Sequence, residues 1–118
     1  MEFRKLRVYP EAVKFTERIY GLSRGFPDEE RFGLTSQIRR ASTSIVLNIA
    51  EGSGCDSKLE FSRFLRMAIR SLYEVDATPE LAVLLKFCSK KDILEIYEQR
   101  LLLGNMLGKL LKTLKPTT

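Results

Sequence analysis

Histidine is absent from all 118 residues of the sequence, and only two residues are cysteine. Without histidine the chain cannot form Ser-His-Asp or Cys-His nucleophile sites, histidine-containing zinc fingers or the Glu-x-x-His di-iron sites of helical bundles. Cys55 and Cys88 match no metal or redox spacing, so we interpret both as reduced thiols. We therefore predict a protein that is not an enzyme and has no metal and no cofactor. An active site assembled in space from scattered carboxylates is the alternative that the sequence leaves open.

Long apolar runs, internal repeats and low-complexity linkers are also missing. The N-terminal residues show no apolar segment with a cleavage site, and the apolar stretches are too short and too interrupted to cross a bilayer, so we expect a cytoplasmic protein of bacterial type that does not contact a membrane. A hydrophobic share of 44% and a charged share of 30% predict one soluble domain over residues 1–118. The net charge of +5 favours an acidic partner, although dedicated nucleic-acid-binding modules are more basic.

Apolar residues recur every three or four positions in four segments, and no segment alternates as a β-strand does. Short polar turns separate the segments, so the sequence predicts an all-α fold, an antiparallel up-down four-helix bundle. The first helix should begin near Val8 and end between Gly21 and Gly25. Capping boxes at Ser57 and Ser89 should open the third and fourth helices.

Two prolines mark irregular points in this pattern. Pro27 is followed by three acids, as in the first turn of a helix, which predicts a short helical turn before the second helix. Pro79 should end or bend the third helix, because proline has no N–H to donate and disfavours helical angles at Thr78. We expect a bend, since the residues from Glu80 to Phe87 remain apolar enough to continue as helix.

The segment from Gly33 to Gly52 predicts the central helix of the bundle. Its apolar face consists of Leu34, Ile38, Ala41, Ile45 and Ile49, and a polar stripe beside that face consists of Gln37, Arg40, Ser44, Asn48 and Glu51. Because buried polar groups need partners, we predict a structural network in which Arg40 pairs with Glu51 or, across the bundle, with Glu74. Ser44 and Asn48 would satisfy groups between helices. The functional alternative makes Arg39 and Arg40 phosphate contacts.

The fourth helix has more apolar residues than a single bundle can bury. They are Ile93, Ile96, Tyr97, Leu101, Leu102, Leu103, Met106, Leu107, Leu110, Leu111 and Leu114. Surplus apolar surface on a soluble helix indicates a subunit interface, so we predict a homo-oligomer. Gly104 and Gly108, four residues apart, would let another helix approach closely, or they are simply tolerated glycines.

Basic residues on the third helix form the first candidate surface. Arg63, Arg66 and Arg70 are three and four apart, so they lie on one strip opposite the core residues. Arginine forks suit phosphate oxygens, which makes this strip a candidate contact for RNA or DNA. The alternative is a solvated surface on which these arginines pair with Glu60 and Glu74.

Two further basic groups are weaker candidates. Lys109, Lys112 and Lys115 form a similar strip on the fourth helix, although lysines in a last turn also complement the helix dipole. A cluster before the first helix contains Arg4, Lys5 and Arg7, and we interpret that cluster as a solvated N-terminal arm.

The run from Gly33 through Arg39-Arg40-Ala41, followed by Ser44-Ile45 and Asn48-Ile-Ala-Glu-Gly52, resembles the signature of the small four-helix bundle proteins encoded in intervening sequences of bacterial 23S ribosomal RNA genes. Flanking residues fit over nearly the whole chain: Phe3, Leu6, Ile19, Tyr20, Phe26, Pro27, Phe61, Phe64, Leu65, Ala68, Ser71 and Glu74. A related family, the accessory protein of diversity-generating retroelements, has the same fold, and its members resemble nucleic-acid-binding homopentameric rings.

The resemblance implies a homopentamer and a ribosomal-RNA-gene context. Together with the basic strips, it predicts a homo-oligomer that binds structured RNA or DNA, in which one strip per subunit is repeated and weak phosphate contacts act together. The alternative is an interaction scaffold or accessory subunit that does not bind nucleic acid directly. In that case the basic strips would recruit the acidic surface of a protein partner, such as a reverse transcriptase.

Overall fold

Four helices account for most of the computed structural model, which describes residues 2–114. They are α1 (Val8–Ser23), α2 (Leu34–Ser53), α3 (Lys58–Leu84) and α4 (Lys90–Thr113). Short 3₁₀ turns, Phe3–Lys5 and Asp28–Glu30, precede α1 and α2. No residue within 2–114 lies in a strand, and the predicted all-α class is confirmed, as is the helical turn after Pro27.

The helices form an antiparallel up-down bundle in which each packs against two neighbours. α1 and α3 each contact both α2 and α4. Two contacts in each pair show that neighbouring helices run in opposite directions. Between α1 and α2, the Thr16 hydroxyl donates to the Ser42 carbonyl at 3.2 Å, and the later Ser23 accepts from the earlier Arg39 at 2.8 Å. Between α2 and α3, the Ser71 hydroxyl donates to the Ser44 hydroxyl oxygen at 3.0 Å, and the later Gly52 lies beside the earlier Phe61. The described part is elongated, with extents of 49 × 24 × 23 Å. The predicted topology is therefore confirmed.

The core follows the three- and four-residue spacing of the sequence. Side chains that are almost fully buried come from all four helices: Phe15, Ile19, Ile38, Ile45, Ile49, Leu65, Leu72, Val75, Leu103 and Leu107. Complete burial of one such side chain stabilises a fold by about 1.5–3 kcal/mol relative to exposure. This core holds the outward-facing residues of each helix at fixed positions.

Both predicted helix caps are present, but only one is reciprocal. At α4 the Ser89 hydroxyl accepts the Asp92 N–H at 3.3 Å, and the Asp92 carboxylate accepts the Ser89 N–H at 3.0 Å. At α3 the Ser57 hydroxyl accepts the Glu60 N–H at 3.1 Å, and no return bond from the Glu60 side chain forms in the described part. The first turn of α3 is therefore capped by a single bond.

Pro79 does not end α3. The helix runs from Lys58 to Leu84 with Pro79 buried inside it, and the Thr78 hydroxyl donates to the Glu74 carbonyl at 3.0 Å. α3 stops instead before Lys86, which adopts a φ of 66°. There the Phe87 N–H donates to the Ala82 carbonyl at 2.8 Å, a left-handed cap of the Schellman type. The expected continuation of the helix beyond Pro79 is therefore confirmed, because burial of the surrounding face outweighs one lost backbone hydrogen bond. The bend at Pro79 stays a prediction.

Candidate nucleic-acid interface

The predicted arginine strip lies on the outer face of α3. Arg63, Arg66 and Arg70 are exposed, whereas Leu65 and Leu72 on the opposite face are buried. Within residues 2–114, none of the three arginines has a carboxylate within 4.0 Å. The described part of the structure therefore does not contain the alternative ion pairs with Glu60 and Glu74. Three guanidinium groups on one helix face are left available to an external anion.

The lysines of α4 lie at the same end of the bundle as the arginine strip. Arg100 Nε donates to Asp76 Oδ1 at 2.7 Å, which fixes the antiparallel register of α3 and α4. Positions after Arg100 in α4 therefore lie beside positions before Asp76 in α3. Lys109 and Lys112 are both exposed, and Lys112 is in the last turn of α4. Lys115 lies outside the described residues.

Charge is unevenly distributed along the bundle axis. We call the end that contains the start of α1, the end of α2, the start of α3 and the end of α4 the basic end. Its cations are Arg4, Lys5, Arg7, Lys14, Lys58, Arg63, Arg66, Arg70, Lys109 and Lys112. Its acids are Glu2, Glu11, Glu51, Asp56 and Glu60. Among residues 2–114, cations outnumber acids only at this end, so the net positive charge of the described part is concentrated there.

A groove at the basic end joins two segments that are distant in sequence. We call it the α1–α4 groove; its lining residues are Lys5, Leu6, Arg7, Val8, Leu102, Met106, Lys109 and Leu110, and its volume is about 530 Å³. Lys5 and Arg7 belong to the cluster that we had interpreted as a solvated arm. Sequence reasoning missed this site because the contact between the start of α1 and the end of α4 depends on the topology of the bundle.

The polar network of α2 forms around Ser44. Asn48 is buried, and its side-chain nitrogen donates to the Ser44 carbonyl at 2.8 Å and to the Ser44 hydroxyl oxygen at 3.0 Å. Ser71 of α3 donates to the same hydroxyl oxygen at 3.0 Å. These bonds satisfy a buried amide and link α2 to α3.

The other members of the predicted network do not join it. Gln37, Arg40, Glu51 and Glu74 are exposed, and within residues 2–114 Arg40 has no carboxylate within 4.0 Å. The pair with Glu51 is ruled out by distance, since eleven residues along a helix correspond to about 16 Å. Glu74 is on the exposed face of α3. The predicted ion pairs of Arg40 are therefore wrong, and a neutral serine and asparagine cluster takes their place.

Arg39 is held by α1. Its Nε donates to the Ser23 hydroxyl at 2.8 Å, and its guanidinium lies 4.7 Å from the centroid of the Tyr20 ring. Ser23 is buried, so this bond satisfies a polar group at the end of α1. Arg39 thus has a contact that fixes the start of α2 against the end of α1, unlike the unpaired arginines of α3.

A second surface that sequence reasoning missed lies beside the start of α2. Phe32 is 89% exposed, and the Arg31 guanidinium lies 5.2 Å from its ring centroid. Both residues border a shallow depression that also includes Arg40 and Leu47. The only signal in the sequence is an aromatic residue outside the helical repeat, next to Gly33.

Apolar side chains remain exposed on α4, as the surplus in the sequence predicts. The exposed fractions are 65% for Leu94, 53% for Tyr97 and 42% for Leu101. These residues are spaced by three and four positions, so they form one stripe, which we call the α4 stripe. The stripe lies on the half of α4 that is remote from Lys109 and Lys112.

The described residues contain no activated thiol and no cluster of metal ligands. Both cysteines are free. Partial burial is the main cause that raises the pKa of Cys88, and the negative charge of Asp92 is the second cause. Desolvation and then Glu60 raise the pKa of Cys55, so neither thiol is activated as a thiolate. Between residues 2 and 114, no group of three or more cysteine and carboxylate side chains could hold a metal ion.

Within residues 2–114, no helix is both long and apolar enough to span a membrane.

Comparison with known proteins agrees with the fold. A crystal structure of a protein of unknown function from the S23 ribosomal protein family of Bacteroides thetaiotaomicron superposes with a TM-score of 0.81 at 24% sequence identity, covering 89% of this chain and 98% of that one. No curated protein matches the sequence. The family model for 23S rRNA-intervening sequence proteins matches residues 4–109. The chain therefore belongs to the 23S rRNA-intervening sequence protein family.

Proposed function

We propose that this protein is a non-enzymatic, cytoplasmic homo-oligomer that binds structured RNA or DNA through basic residues on its surface. The contacts that we assign are Arg63, Arg66 and Arg70 on α3 and Lys109 and Lys112 on α4. By resemblance to related bundles the oligomer is a pentamer. Repetition of the same strip in each subunit multiplies contacts that are individually weak.

The observation that carries this proposal is the unpaired state of the α3 arginines. Exposed arginines on helices commonly pair with acids three or four residues away. Here Glu60 and Glu74 are at such spacings from Arg63 and Arg70, yet neither forms an ion pair with them in the described part. A guanidinium without an internal partner can bind a phosphate without first breaking an existing ion pair.

The test is a salt titration of binding to an RNA hairpin and to the matching DNA hairpin. Wild-type affinity should fall steeply as salt rises, because each phosphate contact releases counterions. The triple variant Arg63→Gln, Arg66→Gln, Arg70→Gln should bind on the order of a hundredfold more weakly at about 100 mM salt, and its salt dependence should be shallower by about 0.7–0.9 per lost contact in the log–log slope.

A matched control removes three cations from the opposite end of the bundle. Lys86, Lys90 and Lys91 are exposed and unpaired within the described part, so replacing all three by Gln causes the same change in net charge. This control should retain most of the wild-type affinity. If both triple variants weaken binding equally, binding depends on overall charge and not on the α3 strip. If the arginine variant binds as tightly as the wild type, the α3 strip does not contact the nucleic acid.

A further inference from the structure

We propose that the nucleic-acid surface continues from the arginine strip of α3 across the end of α4 to the start of α1, where Lys5 and Arg7 contact the phosphate backbone. This inference rests on the proposed function and extends it to a segment outside the helices. It makes the N-terminal cluster part of the binding surface, in place of a solvated arm.

The first argument is the position of these two residues in the α1–α4 groove. Lys5 and Arg7 line its α1 side, and Lys109 lines its α4 side. No acidic residue is among the side chains that line it in the described part of the chain. Three cations around one concave surface produce a positive potential that their separation in sequence does not reveal, and such a concave surface concentrates an anionic ligand.

The second argument is the difference between Arg4 and its neighbours. Arg4 donates to Glu2 at 2.9 Å, and its guanidinium lies 4.5 Å from the centroid of the Phe3 ring. Lys5 and Arg7 are exposed and have no carboxylate within 4.0 Å in the described part of the chain. The cluster is therefore divided into one internally bound arginine and two cations that remain available.

The third argument is continuity with the strip on α3. Around the bundle α4 lies between α3 and α1, and its exposed Lys109 and Lys112 are at the basic end. Cations thus occur at one end on α3, on α4 and on the segment that leads into α1. A duplex has about one phosphate charge per 1.7 Å of axis, so one polyanion can meet all three segments. An acidic peptide helix docked in the α1–α4 groove would leave the α3 arginines uncovered, and therefore we favour nucleic acid.

The test compares two double variants of the full chain in the same salt titration. Lys5→Gln with Arg7→Gln should weaken binding of both hairpins at least tenfold at about 100 mM salt and reduce the log–log slope by about 1.4–1.8, the value for two lost contacts. Lys90→Gln with Lys91→Gln removes the same charge from the opposite end and should stay within about twofold of the wild type. Thermal melts of each variant verify that the bundle remains folded.

The outcomes separate this inference from the proposed function. A wild-type protein that binds neither hairpin refutes the proposed function, and this inference fails with it. If the wild type binds and the α3 triple variant does not, but Lys5→Gln with Arg7→Gln binds as tightly as the wild type, only the present inference is overturned. In that case a labelled amphipathic peptide rich in leucine and glutamate is tested in place of the hairpins. If the peptide binds the wild type but not the Lys5→Gln with Arg7→Gln variant, the α1–α4 groove is assigned to a protein helix.

Discussion

Gly52 shows why a single residue matters to the packing of α2 on α3. A Cβ added at this position would lie 2.8 Å from the Phe64 Cβ and 2.9 Å from the Phe61 Cδ1. Distances this short are not tolerated between carbon atoms, and Phe61 is itself buried in the core. Gly52 ends the Asn48-to-Gly52 run on which the resemblance to the family depends. Because glycine has no Cβ, it leaves room for two aromatic side chains of α3, which is a physical reason for glycine at the end of that run.

Replacing Gly52 by alanine should therefore destabilise the protein. Alanine favours a helix by up to about 1 kcal/mol over glycine, but overpacking a tight contact costs about 1–3 kcal/mol, so we expect a net loss of stability. Urea denaturation measures the difference. Gly21→Ala is the matched control, because a Cβ there meets nothing within 4 Å, and it should stabilise α1 by about 0.5–1 kcal/mol. Stabilisation by both substitutions would contradict the proposed contact with Phe61 and Phe64.

The α2 network marks a limit of prediction at the scale of residues. The helical repeat was sufficient to place Ser44 and Asn48 on one stripe and to require partners for them. It did not identify Ser71, which is 27 positions beyond Ser44 and completes the cluster. That contact depends on the register between α2 and α3, which a periodic pattern does not specify. Charge attraction suggested Arg40 instead, whereas the structure leaves that arginine exposed.

At the scale of elements, the start of α4 combines a cap with a titratable group. Backbone and hydroxyl hydrogen bonds from Ser89, at 3.0 and 2.9 Å, hold the pKa of Asp92 below its ordinary value of 3.8. A carboxylate with a lowered pKa in the folded state stabilises that state when it is ionised. Its contribution is complete above the unfolded pKa and is lost as the pH falls through the folded value.

Asp92→Asn should therefore lower the melting temperature at neutral pH and have a progressively smaller effect as the pH falls below 3.8. Melts of the wild type and the variant at several pH values measure the difference. Glu98→Gln removes one negative charge from the same helix at an exposed position without a hydrogen bond in the described part, so it controls for charge alone. A difference between wild type and Asp92→Asn that stays constant down to pH 2 would exclude ionisation of Asp92 as its cause.

Helix boundaries were predictable where local chemistry determines them. Ser57, Ser89 and the glycines near the end of α1 all marked real ends, because a cap or a glycine acts over a few residues. Pro79 left two outcomes open, an end or a bend, and the helix continues past it because its local cost is outweighed by burial of a long face of α3 against two other helices. The Arg100 to Asp76 bond between α3 and α4 was not predicted either, because neither residue belongs to a recognisable local pattern.

At the scale of the whole molecule, the surplus positive charge and the α4 stripe lie toward different ends of the long axis. The basic end carries the surplus cations, whereas the α4 stripe and the exposed Leu81, Leu84 and Leu85 lie toward the opposite end. Sequence reasoning predicted the stripe as an excess and the arginines as a strip, but not their separation or the α1–α4 groove. Both depend on how four helices are arranged. The separation would allow the proposed self-association and the proposed nucleic-acid binding to use different surfaces.

If the α4 stripe is the subunit interface, making it acidic should separate the subunits. The wild type should have a solution mass of about five times the 13.6 kDa chain mass in light scattering, and Leu94→Glu with Leu101→Glu should shift it toward the single chain, because carboxylates cannot be desolvated in an apolar contact without a large penalty. Leu47→Glu with Leu59→Glu is the matched control: both leucines are similarly exposed, at 54% and 57%, but lie on α2 and α3. An assembly that survives the α4 substitutions and dissociates with the control would move the interface to the α2 side of the bundle. Because the substitutions lie away from the basic end, the separated subunits should still bind RNA, with the lower affinity of a single strip.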